Sequence, residues 1–220
     1  MSTTSFRVDQ TPNVFDTYVG NGVAAGAAFG PTGSLIIGSD AAGAFLAGAT
    51  AWRALYQFDI SGLVIPAGQA ITGAVLTLAN VAMVLGTGNW ACSRVTRHNW
   101  TTSATFTDYD GADAWTVPGG DFTDTGRGTF AAPNDTANLV FANLAVLALD
   151  AFTLRAGLLE LEVRNLDETQ MADLLVTVSS EAVLGTDIDD PAFYPTLLVT
   201  VGYPNKCGRA TLDLGAGLAL

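Results

Sequence analysis

The residues best suited to chemistry are acids on two stretches rich in turn-forming residues. One stretch is DYDGADAWTVPGGDF, residues 108–122, and the other is TDIDD, residues 186–190. Calcium prefers carboxylate and carbonyl oxygens carried on flexible loops. Neither stretch has the register of an EF-hand loop with its closing Glu, so these acids could equally be solvated turn and cap residues. The calcium candidates are Asp108, Asp110, Asp113, Asp187, Asp189 and Asp190.

Aromatic residues on or near the first stretch could hold a sugar, because sugar sites combine aromatic rings with polar groups. An acidic polysaccharide would also need a local basic patch on a chain of this charge. Arg94 belongs to the one basic cluster in the sequence, although it could instead pair with an Asp. The alternative for the tryptophans is that they close the ends of a sandwich. The carbohydrate-binding candidates are Trp100, Tyr109, Trp115, Arg97 and His98.

Catalytic motifs are missing from the sequence. A nucleophilic triad needs a base, and the single histidine, His98, stands in RVTRHNW without a motif around it. The sequence has no phosphate-binding glycine loop, no Cys/His metal spacing and no dinucleotide fingerprint. Cys92 and Cys207 are interpreted as two free thiols. We therefore expect no enzyme and no cofactor, with calcium as the one candidate ion.

The composition limits the partners of the protein. The chain has 220 residues and a formal net charge of −12, with 49% hydrophobic and 14% charged residues. Such a chain is neither disordered nor suited to nucleic acid or anionic lipid, because both would be repelled. The N-terminus shows no secretory signal, and no apolar run is long enough to span a bilayer.

The elements that must carry these residues are mostly strands. In LLELEVRN, residues 158–165, Leu159, Leu161 and Val163 share one face, and AWRALYQFDI, residues 51–60, alternates in the same way. Turn signals separate many such runs, which predicts an all-β sandwich of antiparallel strands. One short helix is expected, capped by Asp150 after a strand that reaches Leu149, and ended by Gly157.

Three segments are predicted along the chain. Residues 1–13 form an N-terminal arm, residues 14–203 form one domain, and residues 204–220 form a C-terminal arm. The C-terminal arm is apolar without a clear strand period, so its leucines would be exposed unless they lie on a neighbouring molecule or on the domain. The assembly candidates in this arm are Leu212, Leu214, Leu218 and Leu220.

Several collinear motifs carry a family resemblance. The stretch TAWRALYQFDISGLVIPAGQAITGAVLTL, residues 50–78, combines an Arg, a Leu, FDIS, IPAG and the strand AVLTL. Further along the chain follow SRVTRHNWTTSATF, AWTVPGGDF, VSSEA and YPTLLVTVGY. Together these motifs resemble the DNRLRE-domain proteins, a jelly-roll family that overlaps an alginate-type class of carbohydrate-binding modules. The chain departs from the pattern at Tyr194, where the family often has Arg, and at Thr102-Ser103, where it has an acidic residue.

The resemblance implies a jelly roll and two functions. Members are usually modules of surface proteins, of polysaccharide-active enzymes and, in some cases, of phage virions. The first expectation is a structural virion protein (a capsid decoration, head-fibre or spike protein), made in the host cytoplasm, homo-oligomeric, bound to capsid or other virion proteins and able to adhere to cell-surface glycans. The alternative is a free-standing, extracellular carbohydrate-binding module that recognises a polysaccharide.

Overall fold

A computed structural model describes residues 2–7, 16–29, 34–39, 50–84, 89–131, 138–169, 173–179 and 194–204. Within these residues the chain forms twelve β-strands, a 3-10 turn at Gly22–Ala24 and one α-helix. The elements are β1 (Ser2–Arg7), β2 (Asp16–Gly20), β3 (Ser34–Ser39), β4 (Ala51–Asp59), β5 (Ala70–Leu78), β6 (Asn80–Val84), β7 (Asn89–Val95), β8 (Phe122–Ala131), β9 (Leu139–Phe141), α1 (Ala145–Leu154), β10 (Leu158–Asn165), β11 (Asp173–Val178) and β12 (Thr196–Gly202).

The strands form two sheets of unequal size. The four-stranded sheet has the order β1-β12-β5-β9, and the eight-stranded sheet has the order β6-β11-β3-β4-β10-β7-β8, with β2 also paired to β4. The strand pairs of both sheets are antiparallel. The predicted all-β sandwich with one helix is confirmed.

The main core lies between the sheets and follows the period-two pattern. Trp52, Tyr56 and Phe58 of β4 are fully buried there, facing Leu76 of β5 and Val199 of β12. Large aromatic and branched side chains at alternate positions fill this space, which is how a sandwich buries one face of each sheet. The alternation predicted for β4 is therefore confirmed.

A buried thiol belongs to the same core. Cys92 of β7 is free and fully buried. Burial raises the pKa of its thiol, because the thiolate would lose its hydration. The interpretation of Cys92 as a free thiol is confirmed, whereas Cys207 lies outside the described residues.

The helix differs from its prediction. A strand to Leu149 capped by Asp150 is wrong, because α1 begins at Ala145 and Asp150 lies within it. An apolar run rich in Ala and Leu suits a helix, and periodicity alone cannot distinguish a buried strand from a buried helix. The helix ends at Leu154, before the predicted Gly157, although the N–H of Gly157 donates to the carbonyl of Ala151 and its φ is +87°.

The outer face of the eight-stranded sheet is covered as well. A second apolar cluster joins Leu55 of β4 to Trp100 and Trp115, both of which lie on the segment of residues 96–121 between β7 and β8. We call this segment the covering loop. It buries polar and charged residues of β4 and β10 that would otherwise face solvent.

The first and last strands of the described chain both lie in the four-stranded sheet. Residues Ser2–Arg7, assigned above to an N-terminal arm, form the edge strand β1, which pairs with β12 along its length. Of the predicted C-terminal arm only Pro204 is described, so its leucines lie outside the described residues. Within the described part of the chain, no helix has the length and apolar character that crossing a bilayer requires.

Candidate functional site

The covering loop is held by its two tryptophans. Trp100 and Trp115 are only 1% and 4% exposed, and the indole N–H of Trp115 donates to the carbonyl of Thr105 at 2.9 Å. Both rings pack onto Leu55 on the outer face of the eight-stranded sheet rather than at an end of the sandwich. They present no open ring face, so they do not form the aromatic platform that a bound sugar would need.

Tyr109 is the candidate aromatic residue that stays partly exposed. Its ring meets Trp115 edge to face at 5.8 Å between centroids, and the guanidinium of Arg97 lies 4.8 Å from its ring centre. Arg97 therefore already occupies a position against this ring. Its Nε is also 3.6 Å from Asp121 Oδ2, which neutralises its charge locally.

The predicted basic patch is neutralised at each residue. His98 Nδ1 lies 2.9 Å from Glu160 Oε2, and Arg94 is ion-paired with Asp150 of α1. The alternative of an Arg94–Asp pair is confirmed. A patch whose cations are already paired offers little attraction to an acidic polysaccharide.

The three acids of the first calcium candidate stabilise their own loop. Asp108 Oδ2 accepts from the hydroxyl of Thr107 at 2.7 Å, and Asp110 Oδ1 accepts from the N–H of Asp113 at 2.7 Å. Asp113 Oδ2 in turn accepts from the Tyr109 hydroxyl at 3.1 Å. Hydrogen bonds from the backbone N–H groups lower the pKa of Asp110.

These carboxylates do not converge on a common point. Among the described residues, no group of three or more His, Cys, Asp or Glu side chains is arranged to hold a metal ion. Calcium binding by Asp108, Asp110 and Asp113 therefore stays a prediction from the sequence. The second candidate loop, with Asp187, Asp189 and Asp190, lies outside the described residues.

Asp121 closes the Pro-Gly-Gly turn of the covering loop. Its two carboxylate oxygens accept from the backbone N–H groups of Thr116 at 3.0 Å and Val117 at 2.8 Å. Partial burial opposes ionisation, but these hydrogen bonds prevail and lower the pKa of Asp121. Gly119 and Gly120 have φ values of +92° and +122°, which glycine adopts without strain.

Beneath this turn lies a group of five charged side chains, which we call the charge cluster. Arg53 of β4 makes a bidentate pair with Glu168, at 2.7 Å and 2.9 Å. Arg164 of β10 reaches Asp124 Oδ1 at 3.1 Å and Glu162 Oε1 at 3.5 Å. Such charges are stable away from water only when they are paired and hydrogen-bonded.

Aromatic rings complete the surroundings of the two arginines. The guanidinium carbon of Arg53 lies 5.5 Å from the ring centre of Phe106 and 5.6 Å from that of Phe122. The guanidinium carbon of Arg164 lies 3.9 Å from the same Phe122 ring. These cation–π contacts hold the guanidinium of Arg53 near Phe106 of the covering loop and Phe122 of β8, and that of Arg164 over Phe122.

Glu162 is the most buried member of the charge cluster. Its side chain is 0% exposed, and its Oε2 has no hydrogen-bond partner within the described part of the chain. Desolvation raises the pKa of Glu162 to about 8, although Arg53 and Arg164 act in the opposite direction. Burial thus favours the protonated form of this carboxyl, and Gly120 lies directly against its Oε2.

A second set of charges runs from the helix to the covering loop. Arg155 lies between Asp150 and Glu160, at 3.2 Å and 3.3 Å, and it also donates to the carbonyl of Val95 at 2.9 Å. Burial raises the pKa of Glu160, while His98 and Arg155 moderate the rise. Glu160 could orient the His98 imidazole for proton transfer, but it is shared with Arg155, as in a structural ion pair.

Two pockets are lined in part by residues of the covering loop. One, of about 450 Å³, is lined by residues of β4, the covering loop and the segment after α1. The other, of about 310 Å³, is lined by Thr96, Thr116, Val117, Gly120, Asp121 and Phe122. Sequence reasoning missed the first pocket, because nothing in the sequence marks Gln57 or Arg155 as neighbours of Trp100.

Comparisons with known families and curated proteins give no match. The chain matches no family model and no curated protein. The resemblance to DNRLRE-domain proteins thus stays a prediction based on the motifs of residues 50–78 and those that follow.

Proposed function

We propose that this protein is a non-enzymatic structural component of a phage virion (a capsid decoration, head-fibre or spike protein), which associates with further copies of itself and with other virion proteins. In this proposal the protein is synthesised in the host cytoplasm and is then incorporated into the virion. The observation that carries the association is the outer face of the four-stranded sheet, which has no acidic residue at its described outward register positions. The resemblance to a family with virion members supports the wider setting.

The outer face of the four-stranded sheet follows from the strand register. Leu198 of β12 pairs with Ser5 of β1 and with Val75 of β5, and Thr77 of β5 pairs with Val140 of β9. Leu198 and Val140 are 40% and 42% exposed. The described residues at outward register positions are Thr3, Ser5, Arg7, Gly73, Val75, Thr77, Val140, Thr196, Leu198 and Thr200.

Charge makes this face the favourable contact between copies. The chain carries a net charge of −12, so two copies that met through their acidic loops would repel each other. Among the outward register positions just named, Arg7 at the edge strand is the only charged residue. A surface made mainly of Thr, Val and Leu can pair with a second copy without placing acids against acids.

Tyr203, directly after the end of β12, adds an exposed aromatic side chain near the four-stranded sheet. Its side chain is 69% exposed and lies beside Gly68, in the turn before β5. Val64 of the same turn is 79% exposed. Exposed aromatic and branched residues beside a sheet face without acids are typical of protein–protein contacts.

The oligomeric state tests this contact. Leu198→Glu places a charge on the sheet face, whereas Val117→Glu places one on the covering loop, where Val117 is 57% exposed. Sedimentation velocity of the full chain should show an oligomer for the wild type and Val117→Glu, and a monomer for Leu198→Glu. A monomeric wild type, or a Leu198→Glu variant that still assembles, would contradict the proposed face.

The virion setting needs its own test. If the gene lies beside capsid and portal genes, and the protein is recovered with purified particles, the setting is supported. Genes for polysaccharide-degrading enzymes on both sides, with no protein in particles, would instead favour the carbohydrate-binding module.

The carbohydrate-binding module remains the second proposal, but less of the geometry favours it. Trp100 and Trp115 are buried, and Arg97 and His98 are paired with carboxylates. Tyr109 is the one aromatic candidate that stays partly exposed. A glycan array with the wild type and Tyr109→Ala tests whether it contacts a sugar. Equal binding by the two proteins would remove Tyr109 from any sugar site.

A further inference from the structure

The covering loop is closed at its base. The backbone N–H of Thr96, its first residue, donates to the carbonyl of Asp121, its last residue, at 2.7 Å. Near its middle, the N–H of Phe106 donates to the carbonyl of Ala25 at 3.0 Å, which ties the loop to the segment after β2. A segment whose ends meet in this way can lift from the sheet without breaking a strand.

Two carboxyl groups of β10 lie beneath the covering loop. Glu160 lies under the start of the loop, since its Oε2 is 2.9 Å from Nδ1 of His98. Glu162 lies under the end of the loop, since a Cβ atom added at Gly120 would collide with its Oε2. Both glutamate side chains are 0% exposed, so the closed loop keeps water away from both.

Glu162 has little compensation for its burial. Arg53 Nη1 and Arg164 Nη1 lie 3.9 Å and 3.5 Å from Glu162 Oε1. Each arginine has a closer carboxylate partner: Arg53 binds Glu168 at 2.7 Å. Arg164 binds Asp124 at 3.1 Å. Glu162 Oε2 has no hydrogen-bond partner within the described residues, so an ionised Glu162 would be a poorly solvated buried anion.

The groups around Glu162 decide when its carboxyl ionises. Desolvation is the largest influence and raises the pKa of Glu162 to about 8, although the two arginines act against it. The carboxylates of Glu168, after β10, and Asp124, of β8, add to this rise in the pKa. The thiol of Cys92, on β7, stays uncharged in this range, because burial raises its pKa as well. Two further pairs lie nearby, Glu160 of β10 with His98 and Asp121 of the covering loop with Arg97.

We propose that the covering loop opens from the eight-stranded sheet together with the loss of one proton from Glu162, and that the protonated carboxyl keeps the loop closed. Opening separates Gly120 from Glu162, so the proton passes to water and water solvates the carboxylate. It also uncovers the apolar cluster of Leu55, Trp100 and Trp115. The four-stranded sheet lies on the other side of the main core, so this opening does not rest on the proposed association.

The direction of the pH dependence follows from the state that binds the proton. The pKa of Glu162 is about 8 under the closed loop, and its ordinary value of 4.5 applies once the loop is open. Between these two values the opening releases one proton, so its equilibrium constant rises about tenfold for each pH unit. Above about pH 8 both states are ionised, and the constant levels off.

Amide hydrogen exchange of the full chain measures the opening, after each rate is corrected for the intrinsic rate of that amide. The N–H of Phe106 is bonded to Ala25 and that of Asn99 to Glu160, so both are released when the loop opens. Their protection should be at least about tenfold below that of the hydrogen-bonded amides of β4 and β12 at any one pH. It should also fall about tenfold for each pH unit between about pH 5 and 7.5.

Either of two results in the wild type would overturn the proposal. Equal protection of the loop amides and the strand amides would show that the loop opens only when the whole domain unfolds. A local opening whose protection does not change with pH would show that no proton is released.

Three variants assign the proton to its residue. Glu162→Gln keeps the shape of the side chain but does not titrate, so the protection of the loop should no longer fall with pH. Asp113→Asn is the matched control, because it removes an exposed carboxyl of the same loop and should keep the wild-type dependence. His98→Gln should keep it too. A dependence that persists in Glu162→Gln and disappears in His98→Gln would assign the proton to the imidazole and contradict the proposal.

Glu162→Met covers a folding defect in Glu162→Gln. Methionine is unbranched and adaptable, so it fits a buried site of this length, and it does not titrate either. The protection of Phe106 and Asn99 in this variant should be independent of pH over the same range. A wild-type dependence on pH in Glu162→Met would overturn the role of Glu162.

Discussion

Gly120 lies directly against Glu162. A Cβ atom added at Gly120 would collide with Glu162 Oε2, and the φ of Gly120 is +122°. The turn of the covering loop therefore needs glycine for two reasons, the backbone conformation and the closeness of a buried carboxyl group. This contact connects the Pro-Gly-Gly motif to the charge cluster. The motif can be recognised in the sequence, whereas the charge cluster cannot.

Substitution of Gly120 should loosen this contact. Gly120→Ala adds backbone strain and a collision, so we expect a loss of more than about 2 kcal/mol in the free energy of unfolding. Urea unfolding measures the loss. Gly62→Ala is the control, because Gly62 has open space around it and no left-handed φ; it should change stability by less than about 1 kcal/mol. Equal midpoints for Gly120→Ala and the wild type would contradict the tight contact.

The pKa of Glu162 predicts a particular dependence of stability on pH. Its ordinary pKa is 4.5, and desolvation raises it to about 8 in the folded protein. The folded state thus binds a proton that the unfolded state has released between these values. The contribution of Glu162 to stability is full below pH 4.5 and is lost as the pH rises towards about 8.

Glu162→Gln isolates this effect, because the amide has nearly the same shape and does not titrate. The difference in unfolding free energy between the variant and the wild type should shift in favour of the variant as the pH rises from 4.5 to about 8. Denaturant unfolding at several pH values measures this difference. A difference that stays constant across this window would show that Glu162 is ionised throughout, held by Arg53 and Arg164.

The strands of the main core could be predicted because each has one apolar face. Leu159, Leu161 and Val163 alternate with polar residues and are all fully buried. This pattern requires only that one face of the sheet meets another sheet. The turn at Trp-x-x-Pro-Gly-Gly-Asp could also be predicted from the sequence, since Asp121 and the glycines are residues that a tight turn requires.

The charge cluster could not be predicted in the same way. Arg53, Glu162 and Arg164 occupy the polar positions of their strands, which the sequence pattern assigns to solvent, yet all three are buried. Their burial depends on the covering loop, which is far away in sequence from β4 and β10. A clue was present in Trp100 and Trp115, because two tryptophans on one loop need an apolar surface to cover.

We expect Trp115 to contribute to the stability of the fold rather than to contacts with a partner. Trp115→Ala removes a buried ring and its hydrogen bond to Thr105, so we expect a loss of about 3–5 kcal/mol. Tyr109→Ala is the comparison, since Tyr109 is only partly buried, and it should cost less than about 2 kcal/mol. Thermal and urea unfolding measure both. Similar losses for the two variants would indicate that Trp115 does not anchor the loop.

Arg53 should tolerate lysine poorly. Its guanidinium makes two hydrogen bonds to Glu168 and lies against the rings of Phe106 and Phe122. Lysine cannot form the bidentate pair or lie flat against a ring, so Arg53→Lys should lose about 1–3 kcal/mol of stability. Urea unfolding of the purified variant checks this loss.

A surface arginine provides the control for this substitution. Arg127 pairs with Asp124 at 2.9 Å, but its side chain is 36% exposed, so water already screens the pair. Arg127→Lys should therefore change stability by less than about 0.5 kcal/mol. If Arg53→Lys lowered stability as little as Arg127→Lys, the lysine ammonium group would have to bind Glu168 and Glu162 as well as the guanidinium does. Planarity of the guanidinium would then not be what holds the charge cluster beneath the covering loop.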